Sequence, residues 1–396
     1  MLADKHIVLG VTGSIAAYKA AEIASRLTRA GARVDAILTR AACQFVSPLT
    51  FQAITGRPVT YDMFALQSEL SIEHVGLARR ADLVLIAPAT ANTIARLAYG
   101  LADDVLTATV LATSSPIVLA PAMDAGMYEN PATQDNLARL RDRGFTIVGP
   151  GYGRLASGAV GIGRLAEMDE IIGTVRQVLG RSGELAGRRI VVTAGPTQEP
   201  IDPVRFISNP SSGKMGYALA EVARDRGAEV VLISGPVDLV PPIGVEVRRV
   251  RTAEEMRLSV MEALPGCHAL LMAAAVSDYR PSTVAPQKIK KQREEILKLE
   301  LVQNPDILAQ SKGDFVRVGF AAESENLLDN ARAKLLSKDL DLIVANDITS
   351  PDSGFGSDTN RVFLIDRMGQ VEALPLLSKV EVAEQVIDRV VGLLKG

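Results

Sequence analysis

The sequence is short of the residues that staple or metallate a fold. Two cysteines, Cys43 and Cys267, stand far apart among 396 residues and make neither a disulfide framework nor a metal knuckle; core packing is the plain reading of both. Three histidines, His6, His74 and His268, are too scattered to suggest a zinc site. An excess of charge of one sign is also missing. The 43 basic residues and 46 acidic ones leave a net charge of −3, which exerts no long-range pull on nucleic acid or anionic lipid. Any anionic ligand must therefore be held locally. The most apolar region, 81–123, is interrupted by Asp82, Arg96, Asp103 and Asp104 and cannot span a bilayer. The start, MLADKHIVLGVTGS, has no basic region leading into an apolar stretch and a cleavage site, so a cytoplasmic protein is expected.

What the chain does have is apolar residues, 47% against 22% charged, enough for an ample globular core. At about 150 residues per domain its length suggests two domains. HIVLG at 6–10 reads as a strand, 14–31 as a helix with a glycine stop, and VDAILT at 34–39 as the next strand. DLVLIAPAT at 82–90, PIVLAPAM at 116–123 and FTIVGP at 145–150 continue the cycle. The pattern restarts with IVVTAGPT at 190–197 and runs through 214–236, 269–281, 315–323 and 340–348. Near-continuous apolar strands alternating with helices predict two consecutive Rossmann-like, doubly wound α/β domains. The expected boundaries are 1–180, a linker at 181–188, and 189–396, with a flap or hairpin at 281–300.

Ligands of such sheets bind beyond the carboxyl ends of the strands. The turn GVTGS, 10–14, lacks the G-x-G-x-x-G spacing of a dinucleotide site, and the second strand ends in Thr39 rather than an acid. This argues against a nicotinamide oxidoreductase. A mononucleotide phosphate on the helix N-terminus, with Ser14 and Thr39, fits the turn; a plain serine-capped turn fits it equally. RFISNPSSGKMG, 205–216, resembles a Walker loop but has Ser208 and Met215 where glycine and Ser or Thr are required. Taken alone, Asn209 is a turn residue and KIKK at 288–291 a solvated charge run.

GVTGSIAAYK (10–19), PATANT (88–93) and PAMDAGMY (121–128) together resemble the signatures of the homo-oligomeric flavin-containing cysteine decarboxylases. GPTQEPIDPVRFISNPSSGKMG (195–216), AAVSDYRP (274–281), KIKK, NPDI (304–307) and ANDI (345–348) resemble the phosphopantothenate–cysteine ligases. In this order the halves are similar to the bifunctional coenzyme A biosynthesis family, over nearly the whole chain. The resemblance implies a flavodoxin-like first domain that binds FMN through Gly13, Ser14, Thr39, Phe45, Thr90, Ala91, Asn92 and Thr93. There His74 is the active-site histidine, and FMN borrows and returns electrons during decarboxylation. It implies a second domain with a parallel-type sheet and a flap, in which Lys288 supports formation of an acyl-cytidylate from CTP and Asn209 its turnover. Asp278, Lys288, Asn304, Pro305, Asp306, Ile307, Phe320, Lys334 and Lys338 then hold CTP, with Mg²⁺ on the phosphates and metal ligands unassigned. The implied substrates are 4′-phosphopantothenate, cysteine, CTP and 4′-phosphopantothenoylcysteine. The implied assembly is a dodecamer of decarboxylase trimers with paired ligase domains, and no nucleic acid or membrane partner is expected.

The chain departs from the decarboxylase pattern at two chemical positions. Asp124 replaces the asparagine of PxMN, and Ser157, in LASGAVGIGR, replaces a late cysteine. An ionised Asp124 would repel a substrate carboxylate unless protonated or turned away, and serine is a far weaker acid than cysteine. Two readings remain: a working bifunctional enzyme, or an active ligase fused to a flavin-binding scaffold that has lost decarboxylation.

Overall fold

The structure, a computed structural model, describes residues 2–63, 73–290, 297–323, 326–347 and 357–395. Lys291 of KIKK, Ile348 of ANDI and residues 291–296 of the expected flap lie outside them. The chain divides into two compact units, Met1–Gly180 and Arg181–Gly396.

In the first unit β1 (His6–Val11), β2 (Arg33–Leu38), β3 (Leu83–Ala89), β4 (Ile117–Pro121) and β5 (Thr146–Ile147) form a parallel sheet in the order β2-β1-β3-β4-β5. Around it lie α1 (Ala17–Arg29), α2 (Pro48–Thr55), α3 (Glu73–Arg80), α4 (Ala91–Tyr99), α5 (Val105–Ala112), α6 (Ala125–Glu129) and α7 (Pro131–Asp142). A hairpin, β6 (Gly151–Arg154) and β7 (Val160–Arg164), precedes α8 (Met168–Gly180). Side chains of a strand alternate between faces. Ile7, Leu9 and Val11 accordingly share a core with Ile23 and Leu27 of α1 and Ile171 and Val175 of α8. Val8, Val84 and Ile86 pack on the other face with Ile94, Leu106 and Leu137 of α4, α5 and α7. Both faces are dry, which is why these strands read as unbroken apolar runs. The first helix is shorter than the expected 14–31, because residues 14–16 form the turn that enters it.

The second unit starts with β8 (Arg189–Ala194), the hairpin β9 (Gln198–Pro200) and β10 (Phe206–Ser208), and α9 (Lys214–Asp225). β11 (Glu229–Ser234), β12 (Glu246–Arg249), α10 (Ala253–Ala263) and β13 (Ala269–Met272) follow. A two-stranded excursion, β14 (Tyr279–Pro281) with β15 (Leu301–Gln303), occupies the ends of the expected flap. Next come α11 (Ile307–Gln310), β16 (Val316–Glu323), α12 (Leu327–Ser337) and β17 (Leu342–Asp347). β18 (Thr359–Asn360), β19 (Val362–Asp366), β20 (Val371–Ala373), β21 (Leu377–Ser378) and α13 (Lys379–Lys395) complete the unit.

The main sheet runs β12-β11-β8-β13-β16-β17-β19-β20. Its strands are parallel from β12 to β17, but β19 runs antiparallel to β17 and β20 antiparallel to β19. The sequence reading gave no antiparallel edge. A tight turn between β19 and β20 leaves no room for the crossover that a parallel neighbour needs. Within 181–188, Leu185 is buried in the core of this unit. α9 lies close on β8 because Gly216 has no side chain: a Cβ there would come within 2.5 Å of the Ala194 Cβ and 2.7 Å of the Thr193 carbonyl oxygen.

Candidate functional site

The strand order of the first unit reverses direction between β1 and β3, where an open sheet leaves a crevice beyond its carboxyl ends. Thr12 ties the two loops together there. Its buried hydroxyl donates to the Pro88 carbonyl at 2.7 Å and accepts from the Thr90 amide at 3.0 Å. No side chain caps α1 and no acid sits in its first turn, so its N-terminal end suits an anion. Ser14, Ala16, Tyr18 and Lys19 line a cleft of about 540 Å³ with Met123, Asp124, Arg154, Ser157 and Arg164. Thr39 holds the next loop by accepting from the Ala42 amide at 3.2 Å, and Phe45 stands exposed beyond it. Thr90 caps α4, whose first residues are Ala91, Asn92 and Thr93. The residues assigned to FMN thus occupy loops at one end of the sheet, and Ser14 reaches the cleft wall. They fit a phosphate-bearing flavin: the helix end is uncapped, and a Cβ at Gly13 would collide with Ala41.

Asp124 caps the short α6, accepting from the Gly126 amide at 3.1 Å, and its other oxygen accepts from the Ser157 hydroxyl at 2.9 Å. The two departures from the family pattern are therefore one hydrogen-bonded pair. The hairpin bearing Ser157 is laid on this loop through the Gly163 carbonyl, which accepts from the Met123 amide at 2.9 Å. Gly163 has φ +144° and no room for a Cβ beside the Met123 carbonyl oxygen. His74 is half-buried on α3 and does not line the cleft. That helix is fixed from several sides. Thr60 donates to Glu73 at 2.9 Å, Thr113 to the Ala78 carbonyl at 3.0 Å, and Arg80 to the buried Asp35 at 3.0 Å, which also accepts from Arg57 at 2.7 Å.

In the second unit Asp278, Asn304, Pro305, Asp306, Ile307, Phe320, Lys334 and Lys338 line one cleft of about 280 Å³. Lys334 donates to the Phe320 carbonyl at 2.7 Å, and Lys338 pairs with Asp306 at 3.0 Å. Burial works against ionisation of Asp306, but the Ala309 amide and Lys338 outweigh it and hold the carboxyl below its usual range. Asn304 bridges the Ser277 carbonyl at 2.8 Å and Arg280 at 2.9 Å, so its amide shapes the wall. The buried Ser277 hydroxyl has no partner among the described residues, as expected where a ligand supplies one.

Asn209, Ser211, Ser212, Gly213 and Lys214 line a second cleft of about 400 Å³ with Asn346, Asn360 and Lys379. Ala274, Val276, Asp278, Phe320 and Lys334 belong to both clefts. α9 opens into the larger one without a side-chain cap, behind Gly213 at φ +74°. The loop that fails the Walker pattern still presents a helix N-terminus. The Asn209 amide donates to the Val276 carbonyl at 3.1 Å. Lys379 is buried, and burial, then the neighbouring Lys214, pushes its ammonium below the usual lysine range. The side-chain oxygens of Asn346 and Asn360 are buried without partners among the described residues. Lys288 lies outside both clefts, exposed on a strap without helix or strand.

Two family profiles tile the chain: the flavoprotein family over residues 1–180, and the C-terminal domain of DNA/pantothenate metabolism flavoproteins over residues 185–394. The coenzyme A biosynthesis bifunctional protein CoaBC of Vibrio cholerae is 47% identical over 391 residues, which is 98% of each chain. The chain belongs to the CoaBC family. The Bacillus subtilis CoaBC is 45% identical over 401 residues, covering 100% of this chain and 98% of its own length. The solved C-terminal domain of a CoaBC is 40% identical, covers 54% of this chain and 99% of its own, and superposes with a TM-score of 0.47. Each of the two family profiles falls on one compact unit, and each unit carries its own set of cleft residues. Asp35, Asp202, Ser277 and Lys379 escaped the sequence reading. Asp35 left a signal as a lone acid within the apolar run VDAILT, and Asp202 and Ser277 stand inside the motif stretches 195–216 and 274–281.

Proposed function

We propose that the chain performs two steps of coenzyme A biosynthesis, joining cysteine to 4′-phosphopantothenate in the second unit and decarboxylating 4′-phosphopantothenoylcysteine to 4′-phosphopantetheine in the first. The observation that carries the reading is that, in a CoaBC-family chain, Ser14, Asp124 and Ser157 meet at one cleft of the first unit, while Asn209 and every nucleotide residue but Lys288 line the adjoining clefts of the second.

In the ligase the carboxylate of 4′-phosphopantothenate attacks the α-phosphorus of CTP, expelling pyrophosphate and forming the acyl-cytidylate. Lys334, Lys338 and the open end of α9 neutralise the negative charge that builds there. Lys288 adds an ammonium from the strap. The cysteine amine then attacks the acyl carbonyl, a tetrahedral oxyanion forms, and CMP leaves with the C–N bond made. The Asn209 amide gives one hydrogen to the Val276 carbonyl and has a second N–H for that oxyanion. Mg²⁺ would travel with the triphosphate. Among the described residues there is no cluster of three metal-ligating side chains, and Mg²⁺ commonly takes one or two carboxylates plus substrate phosphates; Asp278 and Asp306 are the acids on that wall.

In the decarboxylase FMN, when bound by Gly13, Ser14, Thr39, Phe45 and Thr90 to Thr93, supplies a reversible electron sink. His74 moves a proton at its imidazole. Asp124 is turned to Ser157 and the Gly126 amide, which draws its charge away from an approaching substrate carboxylate. The Ser157 hydroxyl, donating to Asp124, passes a proton on and does not supply one from its own ionisation. The enzyme works in the cytoplasm as a homo-oligomer, a dodecamer with paired ligase units. Among the described residues no helix is long and apolar enough to cross a membrane. Ile15, Tyr18 and Leu49 stand exposed around the flavin loops, where a neighbouring subunit would cover them.

The test is carbon dioxide and 4′-phosphopantetheine formation by the purified full-length protein from 4′-phosphopantothenoylcysteine, with flavin occupancy read on the same sample. Turnover with bound flavin is expected. A flavin-loaded protein that consumes CTP but releases no carbon dioxide would favour the scaffold reading.

A further inference from the structure

Asp202 stands where two separate stretches of the second unit meet. The residue is 2% exposed, in the turn that joins β9 to β10. Oδ1 accepts from the amides of Val204 and Arg205, each at 2.8 Å. That much is a local Asx turn, which Asp makes in many loops. Oδ2 does something a turn does not require. It accepts from Arg205 Nε at 2.9 Å, Arg205 Nη2 at 2.6 Å and the Ile289 amide at 3.1 Å. Arg205 Nη2 also donates to the Ile289 carbonyl at 2.6 Å, and the Ala285 amide donates to the Ile201 carbonyl at 2.9 Å. Ile289 is thus gripped at both its amide and its carbonyl, from residues 84 and 87 positions away.

The gripped stretch is the strap 285–290, which has no helix or strand and carries the exposed Lys288. The gripping hairpin leads directly into the Asn209 loop, and Ser208 is itself tied back to the Thr197 carbonyl at 2.8 Å. Burial opposes ionisation of Asp202, but the amides of Val204 and Arg205 and the Arg205 guanidinium prevail, and the carboxyl lies well below its usual range. The latch is therefore charged at every working pH.

We propose that Asp202 is a positioning residue of the ligase, latching the strap to the β9–β10 turn and so setting where Lys288 stands relative to the Asn209 loop. The proposal rests on the ligase reading of the second unit. An unlatched strap leaves the CTP cleft intact, because none of its lining residues bonds to Asp202. It costs positional order at Lys288, and misplacing a reacting group by about 1 Å can cost about 100-fold in rate.

The experiment uses full-length Asp202→Asn, with pyrophosphate release measured against CTP concentration and trypsin cleavage after Lys288 and Lys290 followed by mass spectrometry. The expected result is a kcat lower by about 10–100-fold, a KM for CTP within about twofold, and strap cleavage about tenfold faster, consistent with local opening. Decarboxylation in the same sample stays unchanged. Wild-type cleavage with normal kcat overturns the proposal. Lys288→Ala separates the two claims: it should lose pyrophosphate release while cleavage after Lys290 keeps its wild-type rate. An active Lys288→Ala would remove that lysine from the ligase chemistry, whereas strap cleavage in Asp202→Asn would still report on the latch. Should Asp202→Asn fail to fold, Ile289→Pro deletes the bridging amide and spares the turn; kcat and cleavage after Lys290 then decide, because trypsin does not cut the Lys288–Pro bond.

Discussion

Asp124 and Ser157 show how a pair of residues can depart from a family pattern together. Either change alone would leave a mismatched group in the cleft, but a serine hydroxyl pointed at a carboxylate satisfies both. Ser157→Ala should therefore slow 4′-phosphopantetheine formation by about 100-fold, the lower end of what a positioned proton carrier contributes. Flavin occupancy should stay at the wild-type level, since Ser157 is not among the FMN residues. Product assay and flavin absorbance on one sample check both halves, and unimpaired turnover would take the hydroxyl out of the proton path. At this scale the sequence was most legible where a motif is contiguous. Asn304 to Ile307 and Asp278 all reached one cleft wall. The roles of Asp202 and Asp35 were illegible because they lie in partners far along the chain, Ile289 for one and Arg80 for the other, and spacing cannot announce such a bond.

Among the elements, α9 brings fold and site closest together. It must approach β8 closely to aim its uncapped N-terminus at the larger ligase cleft, and Gly216 is what allows that approach. Gly216→Ala would drive a methyl into the backbone of Thr193 and Ala194, a cost of about 1–3 kcal/mol for overpacking. The expected outcome is a lower unfolding midpoint for the second unit and weaker CTP-dependent turnover, while decarboxylation is spared. Equal thermal stability of variant and wild type would show that the helix can withdraw without penalty. The buried strands were readable from their apolar runs, since both faces of each sheet are covered. β12 and β20 were not read, being short strands with polar residues at the two edges of the sheet, whereas β19, the largely buried VFLID between β17 and β20, was missed despite its apolar run.

At the scale of the whole molecule, two units with separate cores predict two unfolding events. Calorimetry should resolve them, and CTP with Mg²⁺ should raise only one, by the linkage of ligand to native state. The same unit should be the acid-sensitive one. Asp202, Asp306 and Asp358 all belong to it, and each carboxyl is held below its usual range, the last by Lys214. A carboxyl depressed in the folded state adds stability that is present above its unfolded value of about 4 and is lost as pH falls through the folded one. The CTP-responsive transition should therefore move down first on acidification; a first unit that melts earlier in acid would contradict this. The two ligase compartments also share a partition built from Ala274, Val276, Asp278, Phe320 and Lys334. A common wall is a physical route by which a ligand in one cleft can alter affinity in the other. Whatever factor a ligand of one cleft imposes on affinity in the other through this wall is imposed on it in return.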